Sequence, residues 1–218
     1  MVLLVSAALF LLSGTAWAEK GKSFKFQGPA DLDVAYELGI RPGLTEHASP
    51  SMPLPDTVLS HGFRVKYTYR ILPWLLLGGA IGYAEYSVDE NLYLTEDGKA
   101  SGVEHRMLFF PIEATLGFDL LPSNERLALL ATVDIGYLAI DYQAYWKDAV
   151  MQDSASTMVL GGGIEFKAWL WKSLSSSLGI RYDFVAIDTT FSGASGWRYK
   201  DPGDPSALVL FFGLGWSL

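Results

Sequence analysis

The 218-residue chain has no cysteine, so no disulfide staples it, as one would a small extracellular module. It has no surplus of positive charge. The formal net charge is −8, which sets the chain against nucleic acid, whose phosphates would repel it. After the first dozen residues no apolar run approaches the roughly 20 residues of a spanning helix. If the mature chain enters a membrane, it does so as strands.

What is present begins with "MVLLVSAALFLLSGTAWA", an apolar run from Val2 to Leu12 followed by small residues and Ala16-x-Ala18 ahead of Glu19-Lys20. This reads as a secretory signal peptide cleaved after Ala18, too short for a membrane anchor, although no Lys or Arg precedes its apolar run. An exported, cysteine-free chain fits a Gram-negative envelope. Residues 19–30 form a periplasmic N-terminal segment, and residues 31–218, a length that suits one domain, hold the fold.

The mature chain falls into eight stretches whose large apolar residues keep one parity. The first sets Leu32, Val34, Tyr36, Leu38 and Ile40 against Asp31, Asp33, Glu37 and Arg41; the second sets Phe63, Val65, Tyr67, Tyr69 and Ile71 against Arg64, Lys66, Thr68 and Arg70. The third runs from Leu75 to about Tyr86, the fourth from His105 to Asp119, and the fifth, less regular, from Arg126 to about Tyr145. In the sixth, Met158, Leu160, Ile164, Phe166 and Leu170 oppose Gly161, Gly163, Glu165 and Lys167. In the seventh, Leu174, Leu178, Ile180, Tyr182 and Phe184 oppose Ser175, Ser177, Gly179, Arg181 and Asp183. The eighth is "LVLFFGLGWSL", Leu208 to Leu218, with no charge at all. Within the clear strands the charges keep a single parity. A hydrocarbon-facing wall enforces this, because a Lys or Arg at the bilayer midplane costs about 2–4 kcal/mol.

The connections alternate in length. Leu72 to Trp74, a turn around Pro122-Ser123-Asn124, and Trp171 to Ser173 are short; the links after strands one, three and seven are long and polar, and the link from Lys147 to Ser156 is also longer than the turns. Short periplasmic turns and long external loops characterise an eight-stranded antiparallel up-and-down transmembrane β-barrel with both termini in the periplasm. Leu170 and Leu174 share a face, so the turn between them holds an odd number of residues; this puts Glu165 opposite Gly179 and diagonal to Arg181, within reach of an ion pair. Asp97-Gly98 signals a hairpin, extending strands three and four beyond the lipid.

A soluble barrel with its apolar face inside would alternate in the same way. The aromatics decide against it: Trp74, Trp171 and Trp216 sit at one end of their strands as a lower girdle, while Tyr83, Tyr182 and Phe184, with Tyr145 and Trp146, sit towards the other as an upper one. The opposite parity is rich in glycine and charge, which suits a crowded polar lumen. The run Gly213-x-x-Trp216-x-Leu218 resembles the C-terminal insertion signal of outer-membrane barrels, with Leu where Phe is usual. The mature chain as a whole resembles the small outer-membrane barrels of the OmpA transmembrane-domain, OmpX and OmpW type. That resemblance implies a place in the outer-membrane lipid, contact with the barrel-insertion machinery, and a range of roles from envelope integrity to adhesion and narrow passage. Fold alone does not select among them.

An eight-stranded lumen is just wide enough for side chains. Its expected filling is an ionic network of Asp33, Glu37, Arg64, Lys66, Glu113, Asp134, Glu165, Lys167, Arg181 and Asp183, because buried charges need partners. Gly161, Gly163, Gly213 and Gly215 leave room for the long side chains, and Pro111, on the inward parity, reads as a bulge. Catalysis is not expected: no His-x-Ser places a base and a nucleophile on one face of a strand, and Ser60 and His61, being neighbours, point to opposite faces. The other histidines are His47, in the first long loop, and His105. The acidic second loop, with Asp89, Glu90, Glu96 and Asp97, lacks calcium-loop spacing and reads as solvated; neither a metal nor a cofactor is expected. Trp146, Trp197, Tyr93 and Tyr199 in the long loops could meet a surface ligand. The alternative function, a narrow channel for small hydrophobic solutes, draws on Leu138, Ile140 and Tyr142 on the inward parity of strand five.

Overall fold

The computed structural model describes residues 29–41, 58–88, 103–124, 126–146, 149–186, 191–192, 198–199 and 206–218. Residues 1–18, expected as a signal peptide, His47, the acidic second loop and the hairpin expected at Asp97-Gly98 lie outside them. Among the described residues ten strands follow in order: β1 (Ala30–Arg41), β2 (Val58–Leu72), β3 (Leu75–Val88), β4 (Val103–Asp119), β5 (Leu127–Trp146), β6 (Ala149–Trp169), β7 (Leu174–Ala186), β8 (Phe191–Ser192), β9 (Arg198–Tyr199) and β10 (Ala207–Ser217). β8 and β9 pair with each other in the connection from β7 to β10. The other eight form a closed antiparallel barrel in which β10 pairs with β7 on one side and β1 on the other.

The closure is staggered. From Asp33 the pairing leads one way through Lys66, Ala80, Glu113 and Gly136 to Val159, and the other way through Gly215 and Ser175 to Trp169. Both routes end on β6, ten residues apart. At about 3.3 Å per residue and 4.8 Å between strands, that offset tilts the eight staves by about 40° and gives a backbone radius of about 8 Å. Each residue then climbs about 2.5 Å along the barrel axis.

The polarity of a soluble barrel is inverted. Ile112 is 63% exposed on the outer wall while its neighbour Glu113 is 5% exposed in the lumen, and the same alternation recurs along β1, β2, β4, β6 and β10. Leu32 to Ile40 on β1, Phe63 to Ile71 on β2 and Leu208 to Trp216 on β10 place their even or odd members outward without a single charge. On β3 the outward apolar run from Trp74 to Tyr83 climbs about 22 Å at this tilt, close to the roughly 25 Å of a lipid-facing belt. Among the described residues of the staves, the outer wall meets its charge above that belt, at Glu85 on β3, Arg106 on β4 and Asp141 on β5.

The end with the short turns is tightly tied. Asp119 Oδ1 accepts the Leu121 N–H at 3.0 Å, and Asn124 Oδ1 accepts the N–H groups of Arg126 and Leu127, both at 3.0 Å, so β4 returns as β5 through side-chain-capped turns. Only Pro73 and Trp74 separate β2 from β3, and the register slips beside them between Arg70 and Leu72. The turn after β6 keeps the expected register, with Glu165 opposite Gly179.

Two features differ from the sequence expectation. The link after β5 is not a long loop: β5 and β6 continue as a hairpin until Trp146 pairs with Ala149, leaving two residues between. Alternation weakens there, with Ala, Ser and Gln replacing large apolar residues, because the strands have left the hydrocarbon. Nor does Pro111 make a bulge. It keeps the register, opposite Leu138 on β5, while the rungs to β3 lapse only between Ile81 and Ala84. The missing donor costs a rung rather than adding a residue, and Gly82 accommodates the ring, since a Cβ there would stand 3.0 Å from Pro111 Cγ.

Candidate functional site

Because successive side chains alternate faces, β1, β2 and β4 to β7 each aim charged residues at the axis, and an 8 Å radius lets them meet across it. Three cations each hold two acids. Arg64 Nη1 lies 2.7 Å from Glu113 Oε2 and Nη2 lies 3.2 Å from Asp134 Oδ1. Arg181 grips Glu37 at 2.9 Å and Asp183 at 2.6 Å. Lys167 Nζ reaches Asp33 at 2.8 Å and Asp31 at 3.3 Å. Lys66 pairs with Glu165. All ten sequence candidates thus stand in the lumen, but Glu165 does not meet Arg181. The tilt carries Lys66 to Glu165 across the axis, while Arg181 turns to Glu37 and to its strand neighbour Asp183.

The sequence reading passed over further members of this network. Asp31 accepts from Ser217 Oγ at 2.6 Å, Trp169 Nε1 donates to the same Ser217 Oγ at 3.2 Å, and Lys167 Nζ sits 5.5 Å from the centre of the Trp169 ring. Arg70 pairs with Asp119 at 3.1 Å and donates to the Pro73 carbonyl, closing the lower end. Gly215 and Gly161 admit the carboxylates: a Cβ on Gly215 would collide with Asp33, and one on Gly161 would lie 2.9 Å from Asp183 Oδ1.

Apolar side chains lie beside the lowest ions, where Leu76 pairs with Arg70 and Leu130 with Asp119, and again above the ions. Leu76, Ala128, Leu130 and Trp169 pack together at the lower end. Above the ions, Tyr86, Met107, Phe109, Leu138, Ile140, Val159 and Val185 are all buried on the inward parity. Phe211 also points inward, its ring lying where a side chain of Gly179 would be. Leu138 and Ile140 stand on the inward parity the sequence assigns them; the others break the apolar-out pattern, so alternation alone conceals them, and the adjacent pairs Phe109-Phe110 and Phe211-Phe212 are the signal that both faces are apolar. The cavity left among the ions measures about 30 Å³, room for about two waters.

The outer wall carries the aromatic candidates. Trp74, Trp171 and Trp216 are exposed at the lower ends of their staves, and Tyr182 and Phe184 are exposed towards the upper ends. Trp74 stacks on Phe118 at 6.2 Å, and Tyr83 meets Phe110 at 5.5 Å. Of the terminal motif, Gly213 faces the lumen while Trp216 and Leu218 face outward. Just above the apolar belt, Arg106 grips Glu85 with Nε at 2.6 Å and Nη2 at 2.9 Å, and the Tyr83 hydroxyl donates to the same carboxylate at 2.6 Å. The Arg106 bonds first, and Tyr83 second, hold the Glu85 carboxyl down at about 2.

Ser60 is buried in the lumen and His61 lies exposed on the outer wall, as alternation requires. Among the described residues, no group of three His, Asp or Glu side chains is arranged to hold a metal. Trp146 ends β5 and Tyr199 ends β9; Trp197 and Tyr93 lie outside the described residues.

No family model matches the chain, and no curated protein matches it in sequence. Among solved structures it is similar to the outer membrane protein OprG of Pseudomonas aeruginosa, with TM-score 0.58 and 9% identity over 89% of this chain and 98% of that one. A major outer membrane protein of Thermus thermophilus gives 0.52 and 12% over 86% and 98%. Ail, the attachment invasion locus protein of Yersinia pestis, in complex with the heparin analogue sucrose octasulfate, gives 0.50 and 13% over 88% and 99%. These likenesses lie in the fold, the closed eight-stranded barrel of small outer-membrane proteins.

Proposed function

We propose that this chain is an integral protein of the bacterial outer membrane whose lumen is a sealed structural plug and whose work lies in the envelope wall and at its external end. The observation that carries the reading is the inversion of polarity: an outer wall without charge for about 22 Å, around a lumen in which Arg64, Arg181 and Lys167 are each held by two acids. The packing of these ions, with about 30 Å³ of space among them and an apolar layer above, supports a lumen filled by side chains. On this reading both termini face the periplasm, Trp74, Trp171, Trp216, Tyr83, Tyr182 and Phe184 anchor the belt at its two interfaces, and Gly213, Trp216 and Leu218 are what the insertion machinery recognises. The protein is not an enzyme.

A surface-binding role is supported by the sheet of β4, β5 and β6, which stay paired up to Val103, Trp146 and Ala149, well above the belt. Adhesion through this sheet and the long loops is the finer reading. The channel reading draws on the apolar upper layer that includes Leu138 and Ile140; the side chain of Tyr142 lies outside the described residues. The ionic plug below that layer argues against through-passage.

Purified protein in planar bilayers tests the proposal. It should insert without raising conductance; discrete channel openings would replace the sealed-plug reading with transport.

A further inference from the structure

The outer wall does not finish where its apolar belt finishes. On β5 and β6 the outward rungs pass from Tyr137 and Met158, through Ala139 and Ser156, then Asp141 and Ser154, to Gln143 and Gln152. Over these six residues the wall climbs about 15 Å, whereas the headgroup layer of a phospholipid leaflet is only about 5–8 Å thick.

From this we infer that the upper wall of β5 and β6 seats the neutral sugar headgroups of glycolipid in the outer leaflet, an inference that rests on the reading of the chain as a membrane barrel. The face is continuous with the lipid-facing wall, so what stands against it is what stands above the acyl chains. Its described residues present no unengaged cation, and its one carboxylate is held by neutral amides. Asp141 accepts from Gln143 Nε2 at 2.9 Å and from Gln152 Nε2 at 3.1 Å, and on the neighbouring staves Arg106 is spent on Glu85 through two hydrogen bonds. A phosphate layer calls for Lys and Arg directed at it. A polyol layer calls for amides, hydroxyls and carboxylates, which both donate and accept, and for an aromatic ring at its base, the place Tyr137 holds with its hydroxyl on Ser156.

The test folds the full mature chain into vesicles of phosphatidylcholine alone, with added digalactosyldiacylglycerol, or with added phosphatidylglycerol, and follows amide exchange stave by stave. The galactolipid should slow exchange of residues 139–146 and 149–154 several-fold relative to phosphatidylcholine and phosphatidylglycerol, leave the lower staves unchanged, and lose this effect in the Gln143→Ala, Gln152→Ala double variant. Equal exchange with and without galactolipid, or equal slowing by phosphatidylglycerol, overturns the sugar assignment while insertion into all three bilayers leaves the barrel reading standing. Failure to insert into any of them overturns both.

Discussion

Lys167 on β6 donates across the lumen to Asp33 on β1, Nζ to Oδ1 2.8 Å, beside the seam where β1 closes on β10. Lys167 is 1% exposed, so neither partner is rescued by water when the other is removed. Replacing Lys167 with Met should destabilise the barrel by about 3–5 kcal/mol, because Asp33 and Asp31 lose their cation. Adding Asp33→Asn should restore part of that loss. Urea unfolding in detergent micelles, with the heat-shifted gel mobility of a folded barrel as a second readout, checks both.

Phe211 and Gly179 face each other on paired rungs of β10 and β7, the ring filling the space of the missing side chain. Gly179→Ala should cost about 1–3 kcal/mol by overpacking. In a Phe211→Ala background the same change should cost much less, a non-additivity that a double-mutant cycle of unfolding midpoints would reveal.

Glu85 has a carboxyl lowered from 4.5 to about 2 by Arg106 and Tyr83. A depressed carboxyl contributes stability that is fully present above the unfolded value and fades as pH falls from about 4.5 towards 2. Carboxyl-carbon NMR should therefore place the Glu85 titration near 2 in the native protein. In Arg106→Gln it should return towards the ordinary value, with no change in stability above about pH 5 beyond the loss of the pair itself.

Height on the outer wall sets the cost of a charge. Val65, near the middle of the belt, should lose about 2–4 kcal/mol on replacement by Arg, and Phe184, near its upper edge, about 1 kcal/mol or less. Equilibrium unfolding from lipid vesicles measures the difference.

Period-two alternation made the eight staves legible because one face rejects charge; slipping any stave by one residue would turn Arg64 or Lys167 into lipid. The same rule gave the pairing of Glu165 with Gly179. It did not give the ion pairs, since which charges meet across the axis depends on the ten-residue stagger of the closure, a property of all eight strands together. Hence Lys66, not Arg181, meets Glu165. Apart from Leu138 and Ile140 on strand five, the apolar lumen residues escaped for a different reason: Met107, Phe109 and Phe211 sit beside outward apolar residues, and a stretch that is apolar on both faces carries no alternation to read. The length of the β5–β6 hairpin was hidden because above the bilayer neither face is obliged to be greasy.

The most direct test of the account is the environment of the outer wall. Single cysteines at Val65, Ile180 and Leu214, in protein refolded into lipid bilayers, should stay unreactive towards a water-soluble maleimide until the chain is unfolded. Free labelling of all three in the folded protein would contradict the account, because it would place water where acyl chains are required.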